Sequence, residues 1–182
     1  MKKKTLWLVQ TAMMLALLIV MQTLTKPAGQ LVTGTLVNTV LGISAMYLGV
    51  GSGITVALVS PVVAFLLGIA PQMLTVPAIM AGNLVLVLIL GLWQRNSGNI
   101  LVDILCCVCA AAAKFAVLYT LVVWGICHIL ADGLMEAGLL KAPMLKVLPA
   151  TFTWPQLITA LLGSAIALCI TRLLQEALRP RS

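Results

Sequence analysis

Lys114 is the residue in this sequence best suited to do chemistry, because it interrupts a long apolar run between residues 100 and 131. A charged side chain near the middle of a membrane-spanning helix costs roughly 2.5–3.5 kcal/mol on insertion scales, so it should face the helix bundle or water. In a binding cavity its ammonium would meet an anionic group of a ligand. The alternatives are a lysine that snorkels to the membrane surface or one that bonds a backbone carbonyl.

A stripe of further residues continues from Lys114 towards the end of the same run. At about 100° per residue along an α-helix, His128 lies near the face of Lys114, with Gly125 between them. Trp124 lies on a flank of this stripe. The spacing predicts a cavity wall that runs from mid-membrane to one end of the helix.

Other polar side chains lie within apolar runs and are biased towards the same side of the predicted bundle. Hydrogen bonds between helices explain each of them individually. Their shared location indicates a pocket, since polar groups in lipid must be satisfied inside the protein. The predicted substrate-binding residues are Asn38, Gln72, Asn83, Lys114, Trp124, His128, Trp154 and Gln156.

The sequence indicates neither catalytic nor metal chemistry. The chain has one histidine, and its four carboxylates are scattered near span ends and in loops: Asp103, Asp132, Glu136 and Glu176. The five cysteines all lie in apolar runs, where a buried Cys packs as a small hydrophobic residue. No phosphate-binding loop motif occurs, so any ATP-driven step would need a partner that hydrolyses ATP. We therefore predict no catalytic residues, no metal site and no cofactor, and we do not expect an enzyme.

The composition is typical of a polytopic membrane protein. Of the 182 residues, 62% are hydrophobic and 8% are charged, whereas a soluble domain is nearer ~45–50% apolar and ~25% charged. These values exclude a soluble enzyme, a disordered chain and a nucleic-acid-binding domain. The net charge of +7 does not change this, because the basic residues are not concentrated on a water-facing surface. We predict an all-α integral membrane protein with a single transmembrane domain over residues 1–182.

Apolar segments predict a six-helix bundle, with spans at about 5–24, 31–49, 54–69, 76–93, 100–131 and 155–174. Six spans place both termini on one side, together with seven basic residues: Lys2, Lys3, Lys4, Arg95, Arg172, Arg179 and Arg181. The other side has three, which are Lys26, Lys141 and Lys146. Because loops rich in Lys and Arg face the cytoplasm, both termini should be cytoplasmic.

The loop at about 132–154 is then external, and it is too apolar for an idle linker. It could form a short interfacial helix or a lid over the pocket. It could equally lie as a loop on the bilayer surface.

Small residues on the first span define a candidate docking face. Ala12 and Ala16 form an A-x-x-x-A pattern, a spacing that lets helices approach closely. A glycine-bounded apolar helix follows at 49–68, and the motif V-P-A-I-M-A-G-N follows at 76–83. Together with the length, the six spans and the lid-like loop, these motifs resemble the substrate-binding S components of energy-coupling factor (ECF) vitamin transporters.

The resemblance implies a multi-pass protein of a bacterial plasma membrane that captures a vitamin or related micronutrient at the external side with high affinity. In that family the A-x-x-x-A motif, here Ala12 and Ala16, docks on a transmembrane coupling protein that works with two ATPase subunits. ATP hydrolysis drives toppling of the S component in the membrane, which releases the ligand inside. The sequence does not identify the vitamin, although Lys114 favours a ligand with a carboxylate or phosphate.

Three other classes are compatible with a small apolar chain. A homo-oligomeric channel or carrier would transport without ATPase partners. A small membrane enzyme would need catalytic groups clustered at one depth, which the scattered carboxylates do not supply. A structural or assembly subunit would bind no small molecule.

Overall fold

A computed structural model describes residues 3–69, 72–94 and 99–178. Within these ranges the chain forms helices and turns without any strand, which confirms the predicted all-α class. In chain order the helices are α1 (Lys3–Thr25), α2 (Gln30–Met46), α3 (Val50–Leu66), α4 (Val76–Gln94), α5 (Ile100–Leu118), α6 (Ala131–Glu136), α7 (Met144–Phe152) and α8 (Trp154–Ala177). α5 continues directly into a π-helix at Tyr119–Ile129, here called the π segment.

Among the described residues, four helical segments are long and apolar enough to cross a membrane: Lys3–Ala28, Met73–Trp93, Ile100–Ile129 and Met144–Ala177. This finding fits the predicted membrane protein. The other two predicted spans correspond to α2 and α3, which are apolar but have 17 residues each. At 1.5 Å per residue each is about 25 Å long, somewhat less than a typical hydrocarbon core of about 30 Å. The count of six spans therefore stays a prediction.

The predicted orientation depends in part on residues without described structure. Lys2, Arg95, Arg179 and Arg181 lie outside the described residues. The placement of both termini in the cytoplasm also stays a prediction.

Local signals set where several helices begin. Gly29 precedes α2 with a φ of 88°, and Gly49 precedes α3 with a φ of 106°, a region that other residues rarely adopt. α5 begins at a side-chain cap, since Asn99 Oδ1 accepts a hydrogen bond from the N–H of Leu101 at 3.0 Å. α2 and α5 begin within one residue of the predicted spans, whereas α3 begins four residues before the predicted start at 54.

α2 lies at the centre of the bundle and contacts α1, α3, α4 and α8. Its crossing with α8 is close because glycines occupy the contact. A Cβ added to Gly42 would lie 2.6 Å from the Cβ of Ala167, and one added to Gly163 would lie 2.5 Å from the Cβ of Asn38. Close packing of this kind holds helices together in lipid, where the hydrophobic effect between helices is absent.

The predicted lid-like loop at 132–154 is largely helical, because it contains most of α6 and all of α7. α7 packs against the π segment. Leu148 and Phe152 of α7 are buried in an apolar cluster that includes Val122 and Ile126 of the π segment. The α7 part of this segment is therefore packed on the bundle.

In the part of the chain that the structure describes, a single ion pair links α5 to α8. Arg172 Nη2 donates a hydrogen bond to Asp103 Oδ2. The Asp103 side chain is 3% exposed, whereas that of Arg172 is 38% exposed. The pair therefore joins a buried carboxylate to an arginine that also reaches the surface.

We expect Arg172→Met to lower the free energy of unfolding by about 1–2 kcal/mol, because it leaves a buried carboxylate without its partner. Asp103→Asn should cost less, because it removes the buried charge and leaves an arginine that still reaches the surface. Thermal unfolding of both variants in detergent measures the difference. A larger loss for Asp103→Asn than for Arg172→Met would contradict this account of the pair.

Candidate functional site

A cavity lies inside the bundle, with a volume of about 110 Å³. Since one water molecule needs at least about 10–15 Å³, the cavity has room for several waters or for the polar part of a ligand. Side chains from α1, α2, α3, α4, α5, α7 and α8 line it, among them Gln22, Asn38, Ser60, Asn83, Lys114, Phe152 and Gln156. A polar chamber within apolar helices is the main candidate for a functional site.

Lys114 forms one wall of this cavity and is only 3% exposed. Its Nζ lies 2.6 Å from Asn38 Oδ1 and 2.7 Å from Asn83 Oδ1. An ammonium group can only donate hydrogen bonds, so both amides must present their oxygens to it. Lys114 therefore points into the bundle, where it joins α2, α4 and α5, and it does not snorkel to the surface.

A short chain of hydrogen bonds holds Asn38 in this orientation. Its Nδ2 donates to Thr159 Oγ1 at 3.4 Å, and Thr159 Oγ1 donates to the carbonyl oxygen of Gln156 at 3.2 Å. Asn38 and Thr159 are both buried. The position of the Lys114 ammonium is thus coupled to the start of α8.

Two further polar atoms in the lining have no hydrogen-bond partner among the described residues. They are Ser60 Oγ, on a residue that is 1% exposed, and Gln22 Oε1. Leaving a buried polar atom unpaired costs about 1–3 kcal/mol, so such atoms normally meet a water or a ligand. Their place in the cavity wall makes the cavity a candidate site for water or for a ligand.

The structure brings four of the predicted binding residues into one lining: Asn38, Asn83, Lys114 and Gln156. It places the other four outside that lining. Trp124 is 57% exposed and Trp154 is 69% exposed, and the ring of Trp154 stacks on Phe115 with centroids 6.3 Å apart. His128 is exposed and Gln72 is partly buried.

The π segment explains why His128 does not share a face with Lys114. The predicted stripe assumes α-helical turns along the whole run. Instead the backbone bonds between residues five apart, as in the hydrogen bond from the N–H of Leu130 to the carbonyl of Gly125 at 3.0 Å. Wider turns rotate each later residue away from its α-helical direction.

Several residues of the lining are not among the predicted binding residues, including Gln22, Ser60, Thr151 and Phe152. Gln22 carries a signal that could have found it, since it is a polar residue within the first apolar run, like Asn83 in the fourth. Ser60 gives no such signal, because serine is common in apolar helices. Thr151 and Phe152 reach the cavity only because α7 packs onto the bundle.

Ala12 and Ala16, the predicted docking residues, are both exposed on α1. The opposite side of α1 is attached to the bundle: Leu18 is fully buried, and the hydroxyl groups of Thr11 and Ser52 are hydrogen-bonded at 3.0 Å. α1 also exposes large apolar side chains, including Leu8 and Met13. This face is available to lipid or to a protein partner.

Among the residues that the structure describes, no group of three or more His, Cys, Asp or Glu side chains could hold a metal ion. Comparison with known proteins identifies no relative of this chain. No protein-family model matches the chain, no curated protein matches its sequence, and no solved structure matches its fold.

Proposed function

We propose that this chain is the substrate-capture subunit of an ECF-type importer for a vitamin or related micronutrient. The single observation that carries the proposal is the cavity lined by polar side chains, with buried Lys114 in its wall. A lysine inside an apolar bundle is costly, and such residues characteristically mark solute pathways or binding sites in membrane proteins. The unpaired atoms of Ser60 and Gln22 in the same wall support a bound solute.

Within this proposal, six spans cross a bacterial plasma membrane and both termini are cytoplasmic. The cavity then lies towards the external side, because Lys26 and the α6–α7 segment lie on that side. α7 contributes Thr151 and Phe152 to the lining. This helix is therefore the element that would cover the captured solute.

The exposed face of α1 supports docking on a partner. Ala12 and Ala16 are small and uncovered, so a second helix could approach the backbone of α1 closely. The proposed partners are a transmembrane coupling protein and two ATPase subunits, since the chain has no phosphate-binding loop of its own. In this scheme the chain binds the solute but catalyses no reaction.

Co-purification from native membranes tests the proposal. We expect the tagged chain, extracted gently, to bring down one further membrane protein and two ATPases that mass spectrometry identifies. Recovery of the chain alone or as a homo-oligomer, under conditions that preserve a known ATPase-linked complex from the same membranes, would contradict it. That result would favour a channel or carrier that works without ATPase partners.

A further inference from the structure

The charge of Lys114 is not balanced inside the described protein. Asp103 pairs with Arg172, and the other three carboxylates, Asp132, Glu136 and Glu176, are exposed. Among the described residues, the amide oxygens of Asn38 and Asn83 are the two acceptors that bind the ammonium. A buried charge that lacks a counter-charge is strongly unfavourable. The site therefore lacks a negative charge that would neutralise the Lys114 ammonium.

Hydrogen-bond donors are also left over around the cavity. Lys114 Nζ has three donors and uses two of them, on Asn38 and Asn83. The oxygen of the Asn83 amide accepts a hydrogen bond from Lys114, which leaves the NH2 group of the same amide as a further donor near the site. Ser60 adds an unpaired hydroxyl, which can donate. Donors and positive charge together are the features that recognise an anionic oxygen group.

We propose that the captured solute carries one carboxylate, and that this carboxylate lies against Lys114 Nζ and supplies the missing counter-charge. This inference rests on the proposed function and specifies its substrate class. The third donor of Lys114 binds one carboxylate oxygen, and the Asn83 amide and the Ser60 hydroxyl are the candidate donors for the other. The bound solute thereby converts a costly lone charge into a buried, hydrogen-bonded pair.

The charge of the site favours a carboxylate over a phosphate. A phosphate monoester carries nearly two negative charges and typically binds several cations or a bidentate arginine. Of the described residues that line the cavity, Lys114 alone is a Lys or Arg.

A thermal-unfolding experiment tests this inference with defined probes. The purified chain in phosphatidylcholine nanodiscs is mixed with a lipid-free small-molecule extract of the native cells, separated by anion exchange into anionic and non-anionic pools. We expect the anionic pool to raise the unfolding temperature by several degrees and the other pool to leave it unchanged. Phosphatase treatment of the anionic pool should preserve the effect. Amidation of its carboxylates with carbodiimide and ammonia should remove it.

Variants of Lys114 connect the effect to the proposed contact. Lys114→Met and Lys114→Gln remove the charge, and we expect each to weaken the apparent affinity for the anionic pool roughly 10- to 100-fold. Lys114→Gln keeps donors for the neighbouring amides, so it remains informative if Lys114→Met fails to fold. Lys141→Met is the matched control: it makes the same change at an exposed lysine outside the cavity and should bind like the wild type.

Several results would overturn the inference. These are protection by the non-anionic pool, no protection by either pool, loss of protection after phosphatase treatment, and wild-type affinity in both Lys114 variants. Protection by phosphatidylglycerol nanodiscs alone, dependent on Lys114, would identify a lipid headgroup as the occupant instead.

The experiments distinguish failure of the proposed importer function from failure of the carboxylate inference. A neutral solute together with recovered ATPases would leave the importer subunit standing and reject the carboxylate. Lys114-dependent protection by the carboxylate pool without any coupling partner would retain the carboxylate site and reject the importer.

Discussion

Ala12→Trp is expected to abolish coupling to the ATPase module while leaving solute binding intact. Ala12 and Ala16 are exposed on the same face of α1, one turn apart. An indole in this position would hold a partner helix away from the α1 backbone. Overpacking a close helix contact costs about 1–3 kcal/mol or more, so we expect recovery of the ATPases with the tagged chain to fall by about 10- to 100-fold.

The matched control is Ala165→Trp, because Ala165 is an exposed alanine on α8, away from the proposed docking face. This variant should recover the ATPases as the wild type does. In both variants the anionic pool should raise the unfolding temperature as in the unmodified chain, since neither residue lines the cavity. Unchanged ATPase recovery in Ala12→Trp would reject this face as the docking surface, and equal losses in both variants would indicate general disturbance.

The helical class and the place of Lys114 could both be predicted from the sequence. The sequence has long apolar runs that end at glycines and polar caps. In lipid, the backbone N–H and C=O groups of such a run are hydrogen-bonded within the run itself when it forms a helix. The cost of exposing Lys114 to lipid then requires it to turn inward, where any polar residue at a similar depth becomes a partner. Asn38 and Asn83 fulfil this requirement, and the same reasoning brought both into the predicted site.

The rest of the site depends on geometry that no local pattern specifies. His128 leaves the Lys114 face because the helix widens into the π segment, and the sequence there has no proline or other clear signal for that change. Trp154 stacks on Phe115 outside the cavity, while Gln156, two residues later, turns inward. Such choices follow from how α7 and α8 pack, and packing is a property of the whole bundle.

Gly163→Ala is expected to destabilise the protein by about 2–3 kcal/mol, although alanine is the better helix former. The new Cβ would lie 2.5 Å from Asn38 Cβ and 2.7 Å from the carbonyl oxygen of Thr35. Both distances are well below van der Waals contact, and one of these atoms is backbone, so α2 and α8 must separate. Chemical denaturation in detergent measures the loss in the free energy of unfolding.

The same substitution reaches the binding site, because Asn38 is both the residue that Gly163 contacts and an acceptor for Lys114. Displacing Asn38 should therefore lower the stability of the protein and also reduce the rise in unfolding temperature that the anionic pool causes. Gly133→Ala is the matched control: a Cβ at Gly133 in α6 would meet no atom within 4 Å, so the change should leave stability unchanged or raise it slightly. Equal free energies of unfolding in the two variants would show that α2 and α8 can separate at Gly163 without loss of stability. Loss of stability with unchanged protection in Gly163→Ala would show that Lys114 binds its ligand without the help of Asn38.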